Sequence, residues 1–488
     1  VVRWVEEARK FNEAEMSGQR PVAPPQSTGV HLDRRSPTIT PPTRPGARHG
    51  GYGFYAAASV VVANMIGTGV FTSLGFQLLD IRSTFPLLML WVVGGIAAFC
   101  GALSYAELGA AIPRSGGEYT FLSRIYHPGA GFVSGWISAT IGFAAPTALA
   151  AITFGAYLSS VVPSLSESGL AVALVVGLTG AHVTTHRTSG WLQAGFTTLK
   201  VALIVVFCAA ALMFTPEPQT VSLAPSAGDR ELVFSGAFAV SLIYVSYAYT
   251  GWNAATYLTS EIPDPSRNLP RILGGGTALV MLLYVGLNYA FLQAAPMDAL
   301  EGEVEVGYIA ATYILGPNGA DVMGVTLALL LISTASAMIV AGPRVLHVIG
   351  EDYPAFRWFA ATNRDGIPAR AIVTQGALAV LFIATASFEA ILVFSGFVLG
   401  LNSLLAVTGL FVLRAREPDL PRPYRTWGYP VTPSIYMGLT LWTLTYLALD
   451  RPTETAVAAL LIAAGLLLYL LTGRRASDAC GEGSHPAP

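Results

Sequence analysis

From Phe54 to Leu471 the apolar residues of this 488-residue chain run on for about twenty positions at a time, with short polar interruptions. Roughly 20 such residues in a helix cross about 30 Å of hydrocarbon. Read by these runs and by glycine and proline punctuation, the chain holds twelve predicted spans: 54–78, 85–110, 130–161, 168–186, 193–214, 232–260, 271–294, 321–349, 371–387, 390–413, 432–450 and 455–472. The longest connections, near 111–129, 295–320, 350–370 and 414–431, leave no room for a soluble domain. The pattern predicts an all-α polytopic membrane protein of twelve transmembrane helices.

Composition sharpens this. The chain is 53% hydrophobic and 11% charged, against roughly 25% charged in an average soluble domain, which excludes an ordinary cytosolic or disordered protein. Its net charge of -2 conceals an asymmetry. With the N-terminus cytoplasmic, the inside segments hold 23 of the 27 lysines and arginines, and the outside holds Arg82, Arg230 and Arg451. Only Lys200, within the fifth span, remains. The positive-inside rule then puts both termini in the cytoplasm and the protein in the cell membrane. Residues 1–50 are polar and proline-rich with no signal-like apolar region, so a disordered cytoplasmic tail is expected there, and a second tail at 473–488. The chain opens at Val1, and Met16 begins a plausible reading, which leaves open whether residues 1–15 are translated. Cys100, Cys208 and Cys480 share no metal or redox spacing, and the seven histidines are scattered, so no cofactor, metal or nucleic-acid partner is expected. An integral-membrane enzyme would need paired carboxylates, clustered histidines or an activated nucleophile.

Two spans carry interruptions. In the first, Asn64-Met65-Ile66-Gly67-Thr68-Gly69-Val70-Phe71 sets two glycines two apart; in the sixth, Tyr244-Val245-Ser246-Tyr247-Ala248-Tyr249-Thr250-Gly251-Trp252-Asn253 gathers small and polar residues at mid-depth. Gly-x-Gly alone also suits close helix packing. Interruptions in corresponding positions of two five-span halves, however, point to an inverted-repeat secondary transporter with its site at the midplane. A half-helix N-terminus offers free N–H groups to an anion, and freed carbonyls suit a cation. A zwitterion with both charges on one carbon, an α-amino acid, matches such a pair of ends.

Ile66-Gly67-Thr68-Gly69-Val70-Phe71 resembles the first-helix motif of the amino acid–polyamine–organocation permeases. The run from Ala248 to Asn253, with Glu261 and Pro265-Ser266-Arg267-Asn268-Leu269-Pro270, is similar to their sixth helix and following loop, especially in L-type amino-acid transporters. Tyr105-Ala106-Glu107-Leu108, Pro113 to Tyr119, Ala341-Gly342-Pro343-Arg344 and Pro421 to Pro430 extend the resemblance over about residues 50–475. It implies a LeuT-like core at 51–413, in two inverted repeats at about 54–214 and 232–413, with a loop and two further helices at 414–472. The substrate carboxylate would meet the amides around Thr68 and Gly69, beside Gly67, and the Thr68 hydroxyl; carbonyls of Met65, Ile66, Tyr247 and Thr250, next to Ala248, would face the amino group. Tyr247 stands where the family places an aromatic lid, or else packs. Thr250 replaces a common glycine, and Asn253 suits the substrate, a water network or an interhelical hydrogen bond.

Lys200 lies about nine residues into its span, at a depth where charge is expensive and escape of the stem to the surface is awkward. By the resemblance its ammonium takes the place of a sodium ion of sodium-coupled relatives, bounded by first-helix carbonyls and an eighth-helix hydroxyl, with Ser333 as first candidate and Thr334 and Ser336 as alternatives. Glu107, Arg114 and Glu118 are candidate cytoplasmic gate charges or ordinary loop residues. With no carboxylate expected at the midplane, neutral amino acids are favoured. The expected function is a sodium-independent amino-acid exchanger, with a proton- or sodium-coupled symporter as alternative and a non-transporting amino-acid sensor as the rival of another class. No cysteine falls in the outside loops, so no disulfide-linked subunit is expected, and the partners are the amino acid and the lipid bilayer.

Overall fold

The computed structural model describes residues 53–184, 190–364 and 366–481, and at 190–194 and 473–481 the backbone alone. The expected N-terminal tail, Met16, Arg187 and the last residues of the chain lie outside this description. Every regular element among the described residues is helical. The principal helices are α1 (Phe54–Met65), α2 (Gly69–Gln77), α3 (Thr84–Ala111), α4 (Gly117–Ile125), α5 (Pro128–Ile137), α6 (Ala144–Val161), α7 (Glu167–Thr184), α8 (Gly190–Phe214), α9 (Gly236–Ala248), α10 (Pro265–Ala294), α11 (Val306–Asp352), α12 (Ala369–Thr385), α13 (Phe388–Arg416), α14 (Val431–Asp450) and α15 (Pro452–Gly481).

Nine spans among the described residues are long and apolar enough to cross a membrane: α1 with α2, α3, α5 with α6, α7, α8, α10, α11, α13 and α15. The chain is a multi-pass membrane protein. Of the twelve spans expected, the sixth and ninth are the shorter apolar helices α9 and α12. The eleventh, α14, has the length, but its threonines, tyrosines and Pro433 dilute its hydropathy. Two spans depart from the expected shape. The third is split by a π-helical turn at Ser138–Gly142. The eighth joins a preceding surface helix across Gly316, where φ 72° and ψ −178° break the helical path.

With no water to squeeze out between helices in lipid, close approach through small residues holds such a bundle together. Helix α3 shows this: a Cβ on Gly94 would sit 2.4 Å from Val245 Cγ1, and one on Gly109 2.4 Å from Leu269 Cδ2. Along it α10 packs on one side, while α6 lies against α11. Arg114, Arg344 and Arg414 mark one end of the bundle, called here the arginine-rich end; Arg82, Asp229 and Arg451 mark the other. At the arginine-rich end the buried carboxylate of Glu107 accepts from Arg414 Nε at 2.9 Å, from Arg414 Nη2 at 2.7 Å and from the Thr426 amide at 2.6 Å. This tethers the connection after α13 to α3.

Candidate functional site

The chain leaves helical geometry after Met65 and resumes it at Gly69, and again between Ala248 and the 3-10 segment Ala254–Glu261. The two breaks touch. A Cβ on Gly69 would fall 2.6 Å from Ala248 Cα, and one on Gly251 would fall 2.8 Å from the carbonyl carbon of Asn64. Gly251 also has φ 98°, a conformation that side chains other than glycine's rarely tolerate. Glycine is therefore required at the crossing on steric grounds, once for space and once for both space and backbone angle.

Beside this crossing lies a cavity of about 500 Å³, walled by Asn64, Met65, Gly67, Thr68 and Gly69 from the first break and by Tyr247, Ala248, Thr250 and Asn253 from the second. It extends toward Arg114 and Arg344 at the arginine-rich end. Ser138, Gly142 and Phe143, at the π turn, also contribute to its wall. Toward the opposite end the rings of Tyr244, Phe76 and Phe388 stack in sequence, with centroids 5.9 and 5.6 Å apart. Tyr244 donates its hydroxyl to Glu389 at 2.6 Å, and Glu389 accepts from Arg451 at 2.9 Å.

Thr68 supplies no side-chain cap to α2, whose Phe71 amide donates back to Thr68 O at 2.9 Å, and Thr68 and Gly69, at the positive end of the helix dipole, line the cavity. The carbonyls expected to receive an amino group are largely engaged by the protein itself. Met65 O accepts from the Gly67 amide at 2.8 Å and from the Tyr284 hydroxyl. Ile66 is fully buried behind the cavity, and its carbonyl accepts from Lys200 Nζ at 2.9 Å. Tyr247 O accepts from the amide and hydroxyl of Thr250, at 2.9 and 2.7 Å. Tyr247 itself is 4% exposed and lines the cavity.

Lys200 is buried, and its ammonium also donates to Thr334 Oγ1 at 2.8 Å. The hydroxyl that meets it is therefore that of Thr334 and not of Ser333, because Thr334 is the residue of α11 that faces the first break: its Cγ2 lies 3.7 Å from where a Gly67 Cβ would be. Ser336 pairs instead with His182, at 2.8 Å.

The three candidate gate charges do not meet. Glu107 is committed to Arg414 and Thr426, away from the cavity; Arg114 is exposed at the cavity's rim. Glu118, expected in a loop, is 2% exposed and forms part of the cavity wall. Gly116 and Gly117, with φ 124° and 53°, turn the chain so that the first turn of α4 meets the second break. There Glu118 Oε1 accepts from Tyr105 at 3.0 Å and from Asn253 Nδ2, and Oε2 accepts from Tyr257.

Two features had no signal in the sequence. Tyr284, in an ordinary apolar stretch of α10, donates toward Met65 O and lies 3.2 Å from Ala248 O, one hydroxyl spanning both breaks. The π turn of the third span likewise reads as continuous helix. Among the described residues no group of three or more His, Cys, Asp or Glu is placed to hold a metal ion.

Two interrupted helices crossing at a buried cavity inside a multi-pass bundle define a membrane protein with a small-molecule site between its spans. The family model for amino acid permeases matches residues 52–471, nearly the whole membrane region. The chain belongs to the amino acid permease family. It is 26% identical to the b(0,+)-type amino acid transporter 1 of Mus musculus over 432 residues, covering 86% of this chain and 87% of that protein. It is 29% identical to the large neutral amino acids transporter small subunit 2 of Rattus norvegicus over 476 residues, 90% and 85% of the two chains. With the Asc-type amino acid transporter 1 of Mus musculus it shares 27% identity over 438 residues, 86% and 80%. These relatives are transporters, not enzymes.

Proposed function

We propose that this permease moves neutral amino acids across the cytoplasmic membrane by alternating access, as a sodium-independent exchanger. The observation that carries the reading is the crossing of the two breaks at Gly69 and Ala248 beside the cavity, with the amides of Thr68 and Gly69 at the start of α2 in its wall. The carboxylate of the substrate binds those amides, and Tyr247 covers its side chain. In this reading the molecule has twelve spans and a LeuT-like core of two inverted repeats, 54–214 and 232–413 within residues 51–413, with residues 414–472 behind it. Both termini and the arginine-rich end are cytoplasmic, so the arrangement described is open inward and closed outward by the Tyr244–Phe76–Phe388 stack.

Neutral substrates are favoured because Glu118, the carboxylate in the wall beside Asn253, already has both oxygens occupied by Tyr105, Asn253 and Tyr257. A cationic side chain would have to compete with these three donors for it. The Lys200 side chain, with Nζ donating to Ile66 O and Thr334 Oγ1, fills the space that a coupling cation would need. The test is uptake of labelled amino acids into proteoliposomes, with and without internal amino acid and with imposed proton or sodium gradients. Uptake dependent on internal neutral amino acid is the expected result, together with loss of transport in Lys200→Ala. Uptake driven into empty vesicles by an ion gradient makes the protein a symporter, and a fully active Lys200→Ala protein removes the lysine from coupling.

A further inference from the structure

A zwitterion held at the first break by its carboxylate still needs acceptors for its ammonium, and the protein has used most of those at hand. Met65, Ile66 and Tyr247 carbonyls each receive donors from within the molecule, from Gly67 and Tyr284, from Lys200, and from Thr250. Asn253 is different. It is only half-buried, lines the cavity, and gives its Nδ2 to Glu118, while no donor among the described residues reaches its Oδ1.

The direction of that amide is not free. An ionised carboxylate only accepts, so it fixes which end of an adjacent amide faces it: the NH2 group turns toward Glu118 and the oxygen turns away. Tyr105 and Tyr257 also donate to Glu118, and no cation among the described residues pairs with it. A buried negative charge that three neutral donors satisfy thus stands directly behind the Asn253 amide. It polarises that amide and makes its oxygen a stronger acceptor, as chains of hydrogen bonds do at low dielectric.

We propose that Glu118 is a positioning residue that holds Asn253 with its Oδ1 toward the ligand, and that this pair gives the cavity its preference for ligands bearing an α-ammonium group. This rests on the amino-acid reading of the site. A neutral amide at position 118 can offer either end to Asn253, which then loses its fixed orientation and the charge behind it. Glu118 does not touch the ligand; it acts through Asn253.

The experiment compares binding of leucine and of its 2-hydroxy-acid counterpart, in which a hydroxyl replaces the ammonium, to purified protein in wild-type, Glu118→Gln and Asn253→Ala forms. The wild type prefers leucine. In Glu118→Gln this preference falls by about tenfold or more, through weaker leucine binding with little change for the hydroxy acid, the size expected for a charge-assisted hydrogen bond. Asn253→Ala loses the same preference, and adding Glu118→Gln to it changes the ratio little further. A merely structural Glu118 would weaken both ligands alike and leave their ratio intact, and that result overturns the proposal. So does an unchanged ratio in Asn253→Ala, which keeps Glu118 and both tyrosines and remains informative if Glu118→Gln fails to fold. Wild-type protein that binds neither ligand would instead refute the amino-acid reading itself.

Discussion

Alanine at position 69 tests whether the crossing of the two breaks is what shapes the site. The new methyl would lie 2.6 Å from Ala248 Cα, 2.7 Å from its Cβ and 3.2 Å from its amide nitrogen, where ordinary contact begins at 3.4 Å. The obstructing atoms are backbone and a Cβ, with no flexible end to swing aside, so α2 and the end of α9 must part by about 0.8 Å, the difference between 3.4 and 2.6 Å. Overpacking of this kind costs roughly 1–3 kcal/mol. Because both displaced elements form the cavity wall, much of that cost falls on the bound state, and amino-acid affinity drops by about tenfold to a hundredfold. Gly274→Ala, buried in α10 away from the cavity, is the matched control: its methyl meets Leu103 Cδ2 at 3.4 Å and Phe99 Cε2 at 3.7 Å, both ordinary contacts. Equilibrium binding of labelled amino acid to the purified proteins, with thermal melts to verify folding, gives the comparison. Wild-type affinity in Gly69→Ala, or equal damage in Gly274→Ala, would refute the steric account of the site.

Two further outcomes concern the frame around the cavity. Glu107→Gln leaves Arg414 and the Thr426 amide facing a neutral group in place of a buried carboxylate. Unpairing a buried ion pair costs about 3–5 kcal/mol; with Arg414 22% exposed, roughly 3 kcal/mol is expected. A clear fall in melting temperature with unchanged preference among amino acids is the predicted result, and an unaltered melt would show that the tether carries no stability. At the opposite end Asp229 accepts from Ser83 and from the hydroxyl and amide of Ser226, and these bonds, the Ser83 hydroxyl foremost, hold its carboxyl below the usual 3.8. A carboxyl lowered by folding adds stability above pH 3.8 that is lost as pH falls through its folded value. The melting difference between wild type and Asp229→Asn should therefore be full at neutral pH and shrink below about pH 4; a difference constant down to pH 3 would exclude the contribution of the ionised carboxylate.

Much of the molecule was legible before any coordinates. Long apolar runs must become helices in lipid because no other local structure satisfies every backbone group, and the interruptions at 66–68 and 249–253 stand out because glycine and polar residues are costly in such runs. The depth of Lys200 likewise marked it for a buried partner. What could not be read is which groups meet across the bundle. The hydroxyl that takes the ammonium is Thr334 and not Ser333, since only the rotation of α11 decides which of two adjacent residues faces the first break. Glu107, Arg114 and Glu118 looked like one cluster in the sequence, yet two glycines of positive φ turn Glu118 into the cavity wall while Glu107 is drawn to Arg414 and Arg114 remains at the rim. Tyr284 bridges both breaks from a stretch that carries no mark.

A helical membrane protein interrupted at two places follows from the chain's local chemistry, because burial in lipid and the loss of helix at glycine are local properties. That the interruptions touch, that their carbonyls are largely capped from within, and that a buried carboxylate stands behind Asn253 emerge only in the folded molecule. Those facts depend on helix rotation and close approach between residues far apart in the chain, and no local pattern encodes them.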